Sequence, residues 1–153
     1  METRTVLATL RLPGRADSLR LVRALVREAA LGRGAGAEWA NDLVLAVDEA
    51  CQNVVRHGYG DGARVGDMVI ELAADAEGLC VRVTDFAPPV DPAKIRGRDL
   101  ADVRPGGLGL HLMRSLTDEC AWEAPPPGAG NVLRLCKRWP GGARAGDGMG
   151  EQR

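Results

Sequence analysis

Two polar residues of one predicted helix have the types and the spacing that chemistry needs. Glu49 and Asn53 stand four positions apart in "LAVDEACQNVVRHGY", so they lie on one face of the helix. Asp42 and Arg56 extend this polar stripe, counting about 100° per residue. A carboxylate beside an amide oxygen can act as a general base next to a ligand for a hard cation. A solvated helix face has the same pattern, so the spacing leaves both interpretations open.

A glycine-rich run, "RPGGLGLHLMRSL", leads directly into another predicted helix that begins near Leu108. A helix start presents free N–H groups and a partial positive charge. Gly106, Gly107 and Gly109 would let the backbone approach a phosphate without a side chain in the way. Among the neighbouring arginines, Arg104 is the best placed to reach the same phosphate. A plain loop-to-helix junction would look similar.

Asp85 is the third candidate, at the end of the predicted strand "LCVRVTD". A carboxylate in this position can accept a hydrogen bond from an exocyclic amine such as that of adenine. It can equally be a turn residue ahead of the prolines that follow.

Hydrophobic periodicity predicts the elements that must position these residues. Alternation predicts strands over residues 5–12, 67–75, 78–86, 120–124 and 131–139, and helical spacing predicts helices over 16–32, 37–60 and 107–119. Asp17 or Ser18 is expected to cap the first helix. The order predicts an α+β fold, a two-layer α/β sandwich with helices on one face of a mainly antiparallel sheet. Residues 86–105 have no sustained period, which is typical of a functional lid or a disordered insert.

Composition sets the broad class. The chain has 153 residues, 45% of them hydrophobic and 27% charged, which is typical of one packed domain. We expect this domain to span residues 1–139, followed by a disordered Gly-rich tail over 140–153. A net charge of -1 argues against nucleic-acid binding through phosphate neutralisation. Neither a membrane span nor a signal peptide is apparent, so the expected location is the cytoplasm.

The four cysteines are far apart in the sequence and form no CxxC motif. This spacing argues against a zinc site and against a disulfide framework. We expect Cys51, Cys80, Cys120 and Cys136 to be reduced and mostly buried.

Taken in order, the motifs resemble a known superfamily. "LAVDEACQNVVRHGY" is similar to the N box, "VRVTDFAPP" to the first glycine box and "GGLGLHLMRSLTDE" to the second glycine box of the gyrase, heat-shock chaperone, histidine kinase and mismatch-repair ATPases. The variant most resembles the anti-sigma factor serine/threonine kinases, from about Thr5 to Arg138. No upstream helical hairpin carrying a phospho-acceptor histidine is visible, which makes a histidine kinase the weaker interpretation.

The resemblance implies the Bergerat ATP-binding fold, with ATP and Mg²⁺ as cofactors. It implies that Glu49 is the general base, that Asn53 holds the metal ion, and that Asp85 binds the adenine amine. The segment 86–105 would be the ATP lid. The phosphate-binding residues would come from the second glycine box and its helix start: Arg104, Gly106, Gly107, Leu108, Gly109 and Leu110.

One position departs from the family pattern. The first glycine box normally reads Asp-x-Gly. This sequence has Ala87 in place of that glycine, at a position that the resemblance assigns to nucleotide binding. Alanine can replace glycine there if its φ is negative or if the nucleotide is not tightly apposed.

Three functions remain open from the sequence. A switch-protein kinase would phosphorylate a serine of a STAS-domain antagonist and sequester a sigma factor or an analogous partner. A degenerate relative would bind its partner without using ATP, and Ala87 favours that alternative. A structural domain without ligand would leave Glu49, Asn53, Asp85 and the glycines apart in space. Relatives commonly dimerise, so a homodimer is also possible.

Overall fold

The computed structural model describes residues 3–89 and 107–141 of the chain. The elements are β1 (Thr5–Pro13), α1 (Leu19–Gly32), α2 (Ala37–Asn53), β2 (Asp67–Ala74), β3 (Gly78–Asp85), α3 (Gly107–Leu116), β4 (Glu119–Glu123) and β5 (Asn131–Arg138). Of the predicted lid, residues 90–105 lie outside the described part. Residues 142–153 of the predicted tail also lie outside it.

The five strands form one sheet in the order β1-β2-β3-β5-β4, and every neighbouring pair is antiparallel. Alternate residues of β2 and β3 are fully buried on one face, among them Ile70, Leu72 and Val81. The helices pack on this face, with α2 against β3 and β5 and α1 against β2. The predicted two-layer α/β sandwich is therefore confirmed.

Helix α1 follows from its apolar spacing. Leu19, Val22, Val26 and Ala30 recur every three or four residues, and all four are buried. Gly34 follows the helix with a φ of 84°, a left-handed conformation that glycine adopts without strain. The predicted cap at Asp17 or Ser18 is wrong, because the N-cap side chain makes no capping hydrogen bond.

The second predicted helix, over 37–60, is longer than the regular α-helix that the structure shows. Helix α2 ends at Asn53, and Val54–Gly58 continues as one π-helical turn that closes with Tyr59 N–H donating to the Val54 carbonyl. The third helix ends at Leu116 rather than at the predicted residue 119, because Glu119 already pairs with Cys136 in the sheet.

The other face of the sheet carries an ion-pair ladder. Arg82 bonds to both Glu71 and Glu123, and Arg134 bonds to both Glu119 and Glu123. Arg82 and Arg134 stand directly opposite each other on β3 and β5, and the three carboxylates separate their like charges.

The prediction that all four cysteines are reduced is wrong for two of them. Cys80 and Cys136 face each other across β3 and β5 and form a disulfide, with their Cα atoms 4.1 Å apart. A separation of 56 residues gives no local signal of this pairing, which only the strand register reveals. Cys51 and Cys120 are free, and Cys51 is buried as expected.

Two tryptophans join the start of α2 to the end of β5. Trp39 and Trp139 stack with their ring centroids 4.9 Å apart. The Trp39 indole N–H donates to the Arg138 carbonyl, and the Trp139 indole N–H donates to the Asp75 carbonyl. These contacts fix the first turn of α2 to the sheet.

None of the helices in the described part of the chain is long and apolar enough to cross a bilayer.

Candidate functional site

Helix α2 carries the two polar residues predicted to do chemistry. Its core face is formed by buried residues at helical spacing, including Leu43, Val47 and Ala50, which fixes how the helix rotates on the sheet. Glu49 and Asn53 are half-buried at the border of that face. Neither side chain therefore belongs to a fully solvated helix face.

A row of hydrogen bonds runs along α2 beside Glu49 and Asn53. Arg56 donates to the Gln52 side-chain oxygen, and the Gln52 amide donates to Asp48, which also pairs with Arg23. The Arg56 guanidinium is therefore bonded toward Gln52.

The side-chain oxygen of Asn53 is buried without a hydrogen-bond partner among the described residues. Leaving a buried acceptor unsatisfied costs about 1–3 kcal/mol. Such a group in a folded protein requires an explanation, and a bound ion is one of the recognised ones. Asn53 is also the last residue of α2, immediately before the π-helical turn.

Glu49 lies directly against Gly109 of α3. A Cβ atom added at Gly109 would meet the Glu49 carboxylate oxygen and would lie 3.0 Å from its Cγ and Cδ atoms. The absence of a side chain at Gly109 therefore makes room for the carboxylate between α2 and α3. The glycine run that predicted a phosphate cradle thus contacts the predicted general base.

Asp85 is the one buried charged residue in the part of the chain that the structure describes, with 6% of its surface exposed. Its Oδ1 atom accepts hydrogen bonds from the Ala87 backbone N–H and from the Asn131 side-chain amide, each at 3.0 Å. Burial raises the pKa of the Asp85 carboxyl above its ordinary value, and these two hydrogen bonds oppose that shift.

Asn131 is the residue of this region that sequence reasoning missed. It begins β5, it is buried, and it stands opposite Asp85 in the strand register. The signal was present only as a polar residue directly after "PPPGAG", at the start of an otherwise apolar strand. Its link to Asp85 spans 46 residues and becomes visible only when β3 and β5 pair.

Ala87 fits closely between two glycines. A Cβ at Gly58 would lie 3.2 Å from the Ala87 Cβ, and a Cβ at Gly130 would strike the Ala87 carbonyl oxygen. Asp61 is the one non-glycine with a positive φ among the described residues, so the φ of Ala87 is open to any amino acid. The first condition under which alanine can replace the family glycine is therefore met.

Tyr59 joins the end of α2 to the end of β3. Its hydroxyl donates to the Asp67 carbonyl at 2.6 Å and accepts the Phe86 N–H at 2.9 Å. Its ring occupies the space left by Gly14 and Gly66. Burial is the main cause that raises the pKa of this phenol. The residue was not predicted as part of the site, although it stands in the quoted "RHGY" motif.

The contacts connect the predicted site residues around α2. Ala87 links Asp85 to Gly58 just beyond the C-terminus of α2, and Gly109 touches Glu49 one turn before Asn53. This arrangement does not match the scattered placement that a structural domain without ligand would require.

The predicted phosphate-binding segment is described from Gly107 onward, and Arg104 and Gly106 lie outside the described residues. Gly107 and Leu108 form the first turn of α3, and the Leu110 side chain packs against the hydrophobic core. The predicted N–H groups thus belong to a helix start, as phosphate binding requires.

The candidate site has two chemically different ends, a base end at Asp85 and a phosphate end at Glu49, Asn53 and the start of α3. A carboxylate acceptor held by strands suits an exocyclic amine of a base. A carboxylate, an unsatisfied amide oxygen and a glycine-opened helix start suit an anionic group with a bound cation. Among residues 3–89 and 107–141, no cluster of three or more His, Cys, Asp or Glu residues forms a metal site of its own.

Comparisons with known proteins show which family and which proteins this chain is similar to. The family described as "Histidine kinase-like ATPase domain" matches residues 12–137. The chain is similar to the serine-protein kinase RsbW of Listeria innocua serovar 6a, with 32% identity over 120 residues that cover 72% of this chain and 75% of the relative. It is also similar to the serine-protein kinase RsbW of Bacillus pumilus, with 29% identity over 128 residues that cover 77% of this chain and 78% of the relative.

A solved structure shares the fold. It is that of the RsbU and RsbW domains of a Mycobacterium tuberculosis protein, and it superimposes with a TM-score of 0.58 at 23% identity. The match covers 86% of this chain and 32% of the solved chain, so this protein spans about a third of that larger one.

Proposed function

Because the chain belongs to the anti-sigma factor serine/threonine kinase family, with a histidine kinase-like ATPase domain, we propose that it is an ATP-dependent serine kinase of a partner-switching system. It phosphorylates a serine of a STAS-domain antagonist and sequesters a sigma factor or an analogous regulator. The observation that carries this proposal is the placement of Glu49 against Gly109, one helical turn before Asn53 and its unpartnered oxygen. General base, cation ligand and phosphate-binding helix start then meet at one junction.

The nucleotide lies between the two ends of the site in this proposal. Asp85 accepts a hydrogen bond from the adenine amine, and the N–H groups at the start of α3 bind the phosphates. Gly107 and Gly109 keep side chains away from the phosphates at that helix start. Arg104 and Gly106 contribute to the same phosphate site from the segment that precedes α3.

The residues present are compatible with Mg²⁺. Magnesium in ATP sites is usually bound through one or two protein ligands together with substrate phosphates and water. The unpartnered Asn53 oxygen offers one such ligand, and the described residues contain no larger acidic cluster that would suit a protein-only cage. When bound, the ion supplies charge neutralisation at the phosphates.

The protein's own part in the transfer is positioning and proton removal. The acceptor serine Oγ forms a bond to the γ-phosphorus, and the bond from that phosphorus to the β–γ bridging oxygen breaks, which releases ADP. The serine proton passes to the Glu49 carboxylate. Positioning and electrostatic stabilisation supply most of the rate enhancement in this class of reaction.

Glu49→Gln tests the proposal. We expect transfer of labelled γ-phosphate to a STAS-domain protein to fall by about 10²–10⁴-fold, the usual contribution of a general base. ATP affinity should stay within about threefold of wild type. The matched control is Asp48→Asn, which changes the neighbouring carboxylate that pairs with Arg23 and should leave transfer intact.

The second candidate is a binding module without catalysis, which Ala87 favours. Under that alternative, wild-type protein would bind its partner and transfer no phosphate. Asn53→Ala would leave partner binding unchanged there, whereas it would abolish regulation by nucleotide in a kinase.

A further inference from the structure

Lys137 on β5 contacts the end of α3 that is remote from the candidate site. We infer, on the basis of the proposed kinase function, that Lys137 is a positioning residue for phosphate transfer. It fixes the C-terminal end of α3, the helix whose start lies against Glu49, and so keeps the phosphate end of the site in place. Lys137 acts through the helix that its ammonium group holds and does not touch the nucleotide.

Helices α2 and α3 run antiparallel, so each of them has one end at the candidate site and one end away from it. Near the C-terminus of α2, Glu49 packs against Gly109 at the start of α3. At the opposite ends, Trp39 of α2 and Leu116 of α3 both contact Lys137. A displacement of α3 at Leu116 would therefore be transmitted to Gly109 along one continuous helix of 10 residues.

Lys137 lies on the face of the sheet that carries the helices. Alternate residues of a strand share one face, and Leu133 and Leu135 at alternate positions of β5 belong to the hydrophobic core. Lys137 continues this row at the end of the strand and is half-buried. A charged group on this face is expected to have specific partners, because burial of an unpaired charge is costly.

Two partners hold the ammonium group. Lys137 Nζ donates to the Leu116 carbonyl oxygen at 3.0 Å, and it lies 5.7 Å from the centre of the Trp39 ring. The first contact satisfies the last carbonyl of α3 and places a cation at the helix C-terminus, where the helix dipole favours it. The second is a cation–π contact to the first turn of α2. One side chain of the sheet thus joins the ends of both helices.

The other hydrogen bonds at this end of α3 are local or lie beyond the helix. The Ser115 and Thr117 hydroxyls donate to carbonyls three and four residues earlier, so these bonds do not determine where the helix lies. The Asp118 N–H and carboxylate bond to the backbone of β5, after the helix has ended. Among the described residues, Lys137 is therefore the side chain of another element that hydrogen-bonds to α3 itself.

The contact at the start of α3 leaves little tolerance for movement. A Cβ atom at Gly109 would lie 3.0 Å from the Glu49 Cγ and Cδ atoms, so the helix and the carboxylate are already close. Phosphate transfer depends on positioning, and a misplacement of about 1 Å caused far from the chemistry can cost about 100-fold in rate. Release of the Leu116 end should therefore weaken the phosphate end and leave the base end, which the β3–β5 pair holds, unchanged.

Lys137→Met tests the inference, because it keeps an unbranched side chain and removes both the cation and the donor. Calorimetry with the full chain would give Kd for ATP with magnesium and Kd for adenosine, which lacks the phosphates. The ratio of the adenosine Kd to the ATP Kd measures what the phosphate end contributes. In Lys137→Met we expect this ratio to fall about 10-fold at an unchanged adenosine Kd, and single-turnover phosphate transfer to a STAS-domain protein to slow by about 10–100-fold.

Two further variants control for charge and shape. Lys137→Arg retains a cation and a donor at the helix C-terminus and should keep the ratio and the rate within about threefold of wild type. Arg138→Met removes an exposed cation one position along β5, on the opposite face of the sheet, and should leave both quantities unchanged. An equal fall in Arg138→Met would overturn the inference, because loss of charge alone would then be the cause.

A purely structural role would lower the melting temperature of Lys137→Met without changing the ratio or the rate, and that result would overturn the inference while leaving the nucleotide site intact. If Lys137→Met fails to fold by circular dichroism, Lys137→Gln removes the charge and keeps a neutral donor. A fall of at least about threefold in the ratio is expected there, since charge-assisted hydrogen bonds are the stronger ones. Wild-type protein that binds neither ATP nor adenosine would instead overturn the proposed function itself.

Discussion

The two ends of the candidate site differ in how completely their polar groups are satisfied. At the base end, Asp85 and Asn131 are buried and hydrogen-bonded to each other within the β3–β5 pair. At the phosphate end, the Asn53 oxygen is buried without a partner among the described residues, and Glu49 is accommodated only because Gly109 has no side chain. The paired strands satisfy the polar side chains of the base end by themselves, whereas the helices leave the Asn53 oxygen without a partner among the described residues.

The largest expected effect concerns the covalent link behind the base end. Reduction of Cys80–Cys136 with a phosphine should lower the free energy of unfolding by about 4 kcal/mol, because the disulfide closes a loop of 56 residues in the unfolded chain. Urea denaturation with and without reductant measures this. The same samples should bind ATP with equal Kd, since Asp85 and Asn131 are held by their own hydrogen bonds. A tenfold change in Kd would show that the base end depends on the disulfide.

A pair of glycine substitutions compares the ends directly. Gly130→Ala would drive a methyl group into the Ala87 carbonyl, a backbone atom that cannot move alone, so we expect a loss of about 1–3 kcal/mol of stability. Gly109→Ala would meet the flexible end of Glu49, and a helix favours alanine over glycine by about 1 kcal/mol. This variant should keep its stability within about 1 kcal/mol and lose phosphate transfer, because the carboxylate must rotate away. Equal destabilisation by Gly130→Ala and Gly109→Ala would show that the two ends do not differ in how rigidly they are packed.

Removal of an unsatisfied group should separate stability from function. Asn53→Ala should leave the nucleotide-free protein as stable as wild type or more stable by about 1 kcal/mol, since it deletes a buried acceptor without a partner. Magnesium-dependent ATP binding should be lost. The neighbour Gln52 provides the control, because its amide bonds to Asp48 and Arg56. Gln52→Ala should lose up to about 1 kcal/mol and keep its nucleotide affinity.

The smallest effect is expected where Ala87 meets Gly58. Gly58→Ala brings two methyl groups to about 3.2 Å and should destabilise the protein by about 1 kcal/mol. In the Ala87→Gly background the same substitution should cost little. A double-mutant cycle from thermal melts measures the coupling. Additive effects would indicate that Gly58 and Ala87 are not coupled, and that the turn after α2 does not constrain the base end.

Much of this fold was predictable because its signals are local. The apolar spacing of Leu19, Val22 and Val26 and the alternation of β2 and β3 each act within a few residues of chain. The order of the motifs likewise indicated Glu49, Asn53 and Asp85. These local sequence features were enough to indicate both the family and the candidate site.

The parts that were missed depend on strand register or on helix details. Asn131 and the Cys80–Cys136 pair are linked to their partners across 46 and 56 residues, and both follow from the same β3–β5 pairing. The π-helical turn over Val54–Gly58 places Gly58 against Ala87. A π turn contains one more residue than an α turn, and the residue spacing in the sequence does not predict it. Periodicity states which face is buried but not which residue stands opposite another.

The stacked indoles of Trp39 and Trp139 supply an optical reporter at the far end of α2. Rings 4.9 Å apart couple their strong far-ultraviolet transitions, so the resulting circular dichroism couplet will report a displacement of the start of α2 relative to the sheet. The third tryptophan, Trp122, is 41% exposed on the edge strand β4. Ligand-induced movement of the helix that bears Glu49 and Asn53 can therefore be recorded without any label.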